Sequence, residues 1–440
     1  MQDLVIGNGV LVTLGENNRI IPRGCLAIHD GRIAEIGAVT DFVGKYPGAR
    51  FIDARGRLIM PGFINAHMHF YASLARGMAM DDYAPKDVKD VLEGLWWRFD
   101  KALNLDDVRF SALVALMDCV RKGTTTVIDR HASPNAVGGS LDAIAAATTE
   151  AGVRACLSYE VSDRDGKTVA RQGIEENERF LKRLSATPDD RLAGAFGLHA
   201  SFTAEDETLK AAAAVCAAHN APLHANLAEG SLDNTVSLER FHARPLARFE
   251  RAGLLERPAL LAHGVHLEKA EHATLAQRAA WLLHTPQSDL NNAVGTAPVP
   301  HMLGEGIRVA LGTDGMTSDM LQELRAFGLV HQQNPRFEQL VQVFCVNNAR
   351  LASELFKTRV GVLEADAVGD VLLVDYVPPT NLTVENFGAH LFHGIVNARV
   401  DTTICGGRLL MHQGKLLTLD EEEITRRSRE LAQRMWQRVE

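Results

Sequence analysis

Apolar runs of strand length recur through the middle of the chain, each closing on a polar or ionisable residue. They are Leu58–His67, Thr124–Arg130, Val153–Glu160, Leu192–His199, Ala221–Glu229, Ala259–His263, Ala280–His284 and Arg308–Asp314. Helix-length stretches lie between them, among them Val108–Lys122 and the alanine-rich Glu205–His219. Continuous apolar strands alternating with helices predict parallel strands covered on both faces. Eight such units over roughly 300 residues predict an α/β chain built on a (β/α)8 TIM barrel, whose usual size is about 250 residues before insertions. In that fold the chemistry gathers at the C-terminal strand ends, where this chain places its His and Asp residues.

The flanks have a different texture. Residues 1–57 read as short strands (Leu4–Ile6, Val10–Leu14, Cys25–His29, Arg32–Ile36, Phe51–Asp53) punctuated by Gly and Asn, with a first helical stretch near Thr40–Lys45. The tail returns to strands at Asp370–Tyr376 and Val400–Cys405, then Arg408–His412 after the Gly406-Gly407 turn. Together the two ends predict one small β-sandwich domain, residues 1–57 with 367–418, beside a barrel of residues 58–366. Residues 419–440 begin acidic and turn basic, the order that suits a helix matched to its own dipole.

Composition narrows the function classes. The 440 residues carry a net charge of −9, which argues against nucleic acid or an anionic membrane as the main partner. No apolar run reaches the roughly 18 residues needed to span a bilayer, and the N-terminus has no signal-peptide pattern. The six cysteines are dispersed with no C-x-x-C pair, which predicts a reducing, cytoplasmic setting without disulfides.

Among the strand ends, His67-Met68-His69 places two imidazoles on one face about 6.6 Å apart, able to converge on a cation if the strand end curls. Asp314, in Leu-Gly-Thr-Asp-Gly after the eighth run, can ligate a metal or accept a proton from water. His199, His263 and His284 end the fourth, sixth and seventh runs and would face the same mouth. Trp96, Trp97 and Phe99 can wall a flat ring, although their helical setting favours core packing. Arg76 and Arg130 can bind a carboxylate or ring carbonyl, and Met78, Met80 and Met316 can line the mouth.

These motifs carry a resemblance. Pro-Gly-Phe-Ile-Asn-Ala-His67-Met-His69, Ala-His263-Gly-Val-His and Leu-Gly-Thr-Asp314-Gly resemble the amidohydrolase superfamily in its aminohydrolase branch. The segments Leu95–Asp100, Ile128–Pro134, Gly138–Leu141 and Asn291–Gly295 are similar to the aminohydrolases of the SsnA type. The resemblance implies one divalent metal ion, zinc first and iron or manganese as alternatives, held by His67, His69, a fifth-strand His and Asp314. It implies a metal-bound hydroxide that attacks a nitrogen heterocycle such as a purine or pterin, with loss of ammonia. Glu229 would shuttle the proton to the ring nitrogen, Asp314 would take the water's proton, and His263 would hydrogen-bond the hydroxide. Arg130, His131, His199 and His284 are the expected substrate-binding residues. A homodimer is expected of such relatives. The fourth-strand end has no Lys to bridge two metals, so a two-metal site is not expected.

Two positions depart from the pattern. The fifth-strand ligand falls at Asn226, and the nearest histidine, His224, lies two residues upstream, about 6–7 Å deeper in an undistorted strand. A bulge would bring His224 to the metal; alternatively Asn226 ligates through its oxygen, or the metal is lost. The family's Ser-Asn step is here Ser288-Asp289. Beside the aminohydrolase two alternatives therefore stand: a metal-depleted barrel that binds a partner, and a cyclic-amide hydrolase.

Overall fold

The computed structural model describes residues 2–15, 18–80, 83–331 and 337–439. In the middle of the chain, Phe63–Met68, Thr124–His131, Arg154–Tyr159 and Leu192–Gly194 pair successively in one parallel sheet. Phe196–Ala200, Leu223–Leu227, Ala259–His263, Ala280–His284 and Arg308–Leu311 pair successively in a second. Parallel bridges stand at both seams, Val161 with Leu198 and Met68 with Asp314. The predicted run Leu192–His199 is thus shared between the sheets. It is interrupted at Ala195, whose N–H reaches back to Leu157, whereas that of Phe196 turns forward to Pro222. Nearly every residue of these strands is buried, as continuous apolar runs require when helices cover both sides.

The first run divides differently from the prediction. Leu58–Pro61 pairs with Leu4–Val12 and Val371–Asp375 in the sheet of the chain ends, and only Phe63–Met68 joins the parallel strands. The break falls at Gly62, where a Cβ would lie 2.1 Å from Thr125 Oγ1. Only a glycine lets the chain pass from one sheet to the other so close to Thr125. The end strands form a single hydrogen-bonded sheet of nine strands drawn from both termini. Leu4–Ile6 and Val10–Leu14, predicted as two strands, are one, Leu4–Val12. Its register shifts around Gly9, with Asn8 at φ 61°, supply the irregularity that read as a break.

Arg154 and Asp370, both buried, join the parallel strands to the end sheet through an ion pair at 2.5 Å. The C-terminal helix Glu421–Trp436 is capped by the Asp420 side chain, which accepts the Glu423 N–H. It packs on helix Leu105–Lys122. All six cysteines are free and buried. Among the described residues no helix is long and apolar enough to cross a membrane.

Candidate active site

His67 lies in strand Phe63–Met68 and His69 directly after it; Asp314 lies three residues past Arg308–Leu311. The seam between these strands brings the three side chains together. The N–H groups of Thr313 and Asp314 both donate to the His67 carbonyl at 2.9 Å. Gly312 makes the approach possible, since a Cβ there would lie 2.4 Å from the His67 nitrogen. Asp314 then takes a left-handed φ of 53°, which turns its carboxylate toward the imidazoles. Asp314 Oδ1 stands 3.0 Å from His69 Nε2 and 3.6 Å from His67 Nε2, and Ser288 Oγ donates to Oδ2 at 2.5 Å.

Hydrogen bonds on the far side of each ring set its tautomer. His69 Nδ1 lies 2.5 Å from the Arg130 carbonyl, which can only accept, so Nδ1 carries a proton and Nε2 of the neutral ring is a bare lone pair. A longer chain fixes His67. The Ser158 hydroxyl donates to the Asp129 carbonyl, so it accepts from His224 Nδ1 at 3.3 Å. His224 Nε2 therefore accepts from His67 Nδ1 at 2.8 Å, leaving His67 Nε2 bare, buried and without a hydrogen-bond partner. Burial holds His67 neutral, its pKa pushed down to about 3, and holds His224 well below the usual imidazole range. Two lone pairs and a carboxylate facing one another repel unless a cation sits among them. This donor set, two imidazole nitrogens and a carboxylate oxygen mutually within 4.8 Å, fits a borderline divalent ion such as zinc.

His224 is not drawn to this cluster. Strand Leu223–Leu227 pairs with Ala259–His263 without a register shift, so no bulge advances it, and its role is to orient His67. Asn226 does face the site, but Arg130 Nη2 donates to its Oδ1 at 2.6 Å. Its Nδ2 turns to Glu229 Oε2 at 3.4 Å.

Glu229 stands beyond the strand, after Ala228 at φ 47°. Its Oε1 accepts from Asn292 at 3.2 Å and its Oε2 lies 3.7 Å from His263 Nε2. Burial, with the Asp314 and Asp289 charges adding to it, raises the Glu229 carboxyl, which favours its protonated form. His263, at φ 73°, is held through Nδ1 by Asp289 at 2.8 Å and Thr285 at 3.0 Å. Burial opposes its charge, yet the Glu229 carboxylate and Asp289 push its pKa up to about 9. The Ser288-Asp289 departure thus has a physical effect: the buried Asp289 carboxylate favours a protonated His263.

The cluster opens into a pocket enclosing about 610 Å³, its mouth included. Tyr71, Trp96 and Trp97 form aromatic wall, and Asp100, Glu160 and Arg164 form a charged one. Arg130 is buried and lines the pocket, bonded to Glu160 Oε2 at 3.1 Å and to Asn226, with its Nη1 left without a hydrogen-bond partner. His199 lines the pocket with its Nδ1 2.8 Å from Thr203 Oγ1, whose hydroxyl proton goes to the Ala200 carbonyl, leaving His199 Nε2 as an acceptor. His131 and His284 lie outside it. His131 is buried against Tyr71 and Tyr159 with Nε2 on Ser133, and His284 packs on Phe327 and His331. Phe99 is core, Arg76 pairs with Asp118 at the surface, and Met316 alone of the three methionines lines the mouth. Sequence reasoning missed Asp100, Arg164 and Tyr71, whose partners are distant in the chain. Glu160 was signalled as the polar end of the third run.

The Amidohydrolase family profile matches residues 58–410. The chain belongs to the amidohydrolase family. That places it among hydrolases acting on carbon–nitrogen bonds other than peptide bonds. A 5-methylthioadenosine/S-adenosylhomocysteine deaminase of Pelotomaculum thermopropionicum is 30% identical to this amidohydrolase over 99% of both chains. A 5'-deoxyadenosine deaminase of Methanosarcina mazei is 28% identical over the full length of both. Among solved structures, an adenosine deaminase of Xanthomonas campestris with bound zinc superposes with a TM-score of 0.87 at 22% identity, covering 99% of this chain and 98% of that one. That likeness establishes the amidohydrolase fold.

Proposed function

We propose that the chain is a metal-dependent aminohydrolase that removes ammonia from a purine-type nitrogen heterocycle, an adenosine derivative being the first class to test. The observation that carries this reading is the pair of tautomer-fixed lone pairs, His67 Nε2 and His69 Nε2, facing the Asp314 carboxylate. His67, His69 and Asp314 would hold one divalent ion, zinc first. When bound, such an ion lowers the pKa of a water and so supplies a nucleophile at neutral pH.

The chain's own residues supply the rest. Glu229 delivers a proton to the ring nitrogen and then to the departing amine; burial shifts its carboxyl toward the protonated form, as that role requires. His263 donates from Nε2 into the space beside Glu229, held there by Asp289. Asp314 accepts a proton, and Ser288 fixes its second oxygen. Tyr71, Trp96 and Trp97 clasp a flat ring, with His199 accepting from a ring or amino N–H. The two seam bridges support reading the parallel strands as a (β/α)8 barrel with these residues at its C-terminal mouth. The paired end strands support a small β domain of residues 1–57 and 367–418, with Leu58–Pro61 added to it, and a separate C-terminal helix, 419–440.

The test is ammonia release from 5'-methylthioadenosine, 5'-deoxyadenosine, adenosine, guanine and a pterin, using protein stripped with chelator and then given zinc. Release that appears only with zinc supports the reading. Ring opening without ammonia would favour a cyclic-amide hydrolase, and no reaction with any of the panel would contradict the deaminase reading.

A further inference from the structure

The fifth-strand position is where a further protein ligand would be expected, and Asn226 occupies it. Both polar atoms of its side chain are already committed. Oδ1 accepts from Arg130 Nη2 at 2.6 Å, and Nδ2 donates to Glu229 Oε2. These two partners also fix which way the amide points, because only an oxygen can face the guanidinium and only the NH2 can face the carboxylate. Arg130 is itself anchored. It is 1% exposed, its Nε donates to Glu160, and the Arg130 carbonyl accepts from His69. For Asn226 to ligate an ion through Oδ1, the ion would have to share that oxygen with the charge-assisted hydrogen bond from Arg130. The ion would then lie on an oxygen that also faces a permanent cation, whose repulsion is strong in a buried site. No carboxylate or imidazole other than His67, His69 and Asp314 reaches this cluster among the described residues.

We propose that Asn226 is not a metal ligand in this chain: it is a strut between Arg130 and Glu229, and an ion is held by His67, His69 and Asp314 as its only protein ligands. This rests on the metal-dependent reading above. The strut has a chemical consequence. What would be a ligand instead links the buried guanidinium to the carboxyl that handles the proton, so Glu229 is oriented by Arg130 through the amide.

Zinc affinity by competition with a chromophoric chelator, and the visible absorption of the cobalt(II)-loaded protein, test this directly in wild type, Asn226→Ala and Asn226→Val. The valine variant suits the strand backbone and serves if the alanine variant does not fold; near-ultraviolet circular dichroism checks both. The expected result is zinc affinity within about threefold of wild type and unmoved cobalt bands, since no ligand has been exchanged. Arg130→Gln, by removing a neighbouring cation, should tighten zinc at least threefold. An affinity loss of thirtyfold or more together with shifted cobalt bands in the Asn226 variants would overturn the strut while leaving the metal centre standing. A wild type that takes up neither metal would overturn both.

Discussion

At the scale of single residues, the site depends on which nitrogen of each histidine carries its proton. His67 and His69 present bare Nε2 atoms because carbonyl oxygens, directly or through Ser158 and His224, claim their Nδ1 protons. Glu229→Gln keeps the shape and removes the transferable proton, although its single amide oxygen can accept from only one of Asn226 and Asn292. Turnover measured by ammonia release should fall at least about 100-fold with an unchanged melting temperature; near-wild-type rates would remove Glu229 from the mechanism. His131 gives a pH prediction independent of the metal. Burial pushes its pKa down to about 3, so only the unfolded chain binds its proton between about pH 6.5 and 3. Stability that His131 contributes is therefore complete above pH 6.5 and lost as pH falls. Relative to His131→Gln, the wild type should lose about 2 kcal/mol between pH 7.5 and pH 5, read from denaturant unfolding at each pH; equal slopes would contradict a neutral buried imidazole. At this scale the sequence made His67, His69, Asp314, Glu229 and His263 legible as strand-end residues. It could not show that Asn226 is held by Arg130, because that contact spans 96 residues and depends on side-chain orientation.

At the scale of elements, the strands were readable from continuous apolar runs, and their departures sit at glycines and irregularities. The run Leu58–His67 is unbroken in hydropathy yet serves two sheets, because Gly62 passes against Thr125. Leu4–Val12 shows the reverse: a bulged strand reads as two when its irregularity carries Gly and Asn. Gly312 is the element-level requirement of the site, since any Cβ there meets the His67 backbone, which has no far end to swing away. Gly312→Ala should cost about 1–3 kcal/mol by thermal or denaturant unfolding and reduce zinc uptake with it, by prising apart the strands that bear His67 and Asp314. Unchanged stability and zinc uptake would show that this close approach is not needed.

At the scale of the whole molecule, the buried Arg154–Asp370 pair ties the parallel strands to the sheet made from the chain ends. Asp370 also accepts the Gly406 N–H. Removing one partner strands a buried charge, so Asp370→Ala should cost about 3–5 kcal/mol, whereas replacing both residues by apolar ones of similar volume should cost much less. Calorimetry of the two variants separates those outcomes, and equal melting temperatures would contradict the account. That the two chain ends meet in one sheet was legible from their shared texture; that this ion pair joins it to the middle was not, since neither residue stands in a motif.

The proposed chemistry depends on His67, His69 and Asp314 together holding one divalent ion. Elemental analysis of protein grown with zinc, iron and manganese, run on wild type beside Asp314→Ala, tests it most directly. About one metal ion per wild-type chain is expected, and less than about a tenth of that in the variant, whose two imidazoles lack the carboxylate that completes the set. An empty wild type, or a variant that retains the full complement, would contradict it.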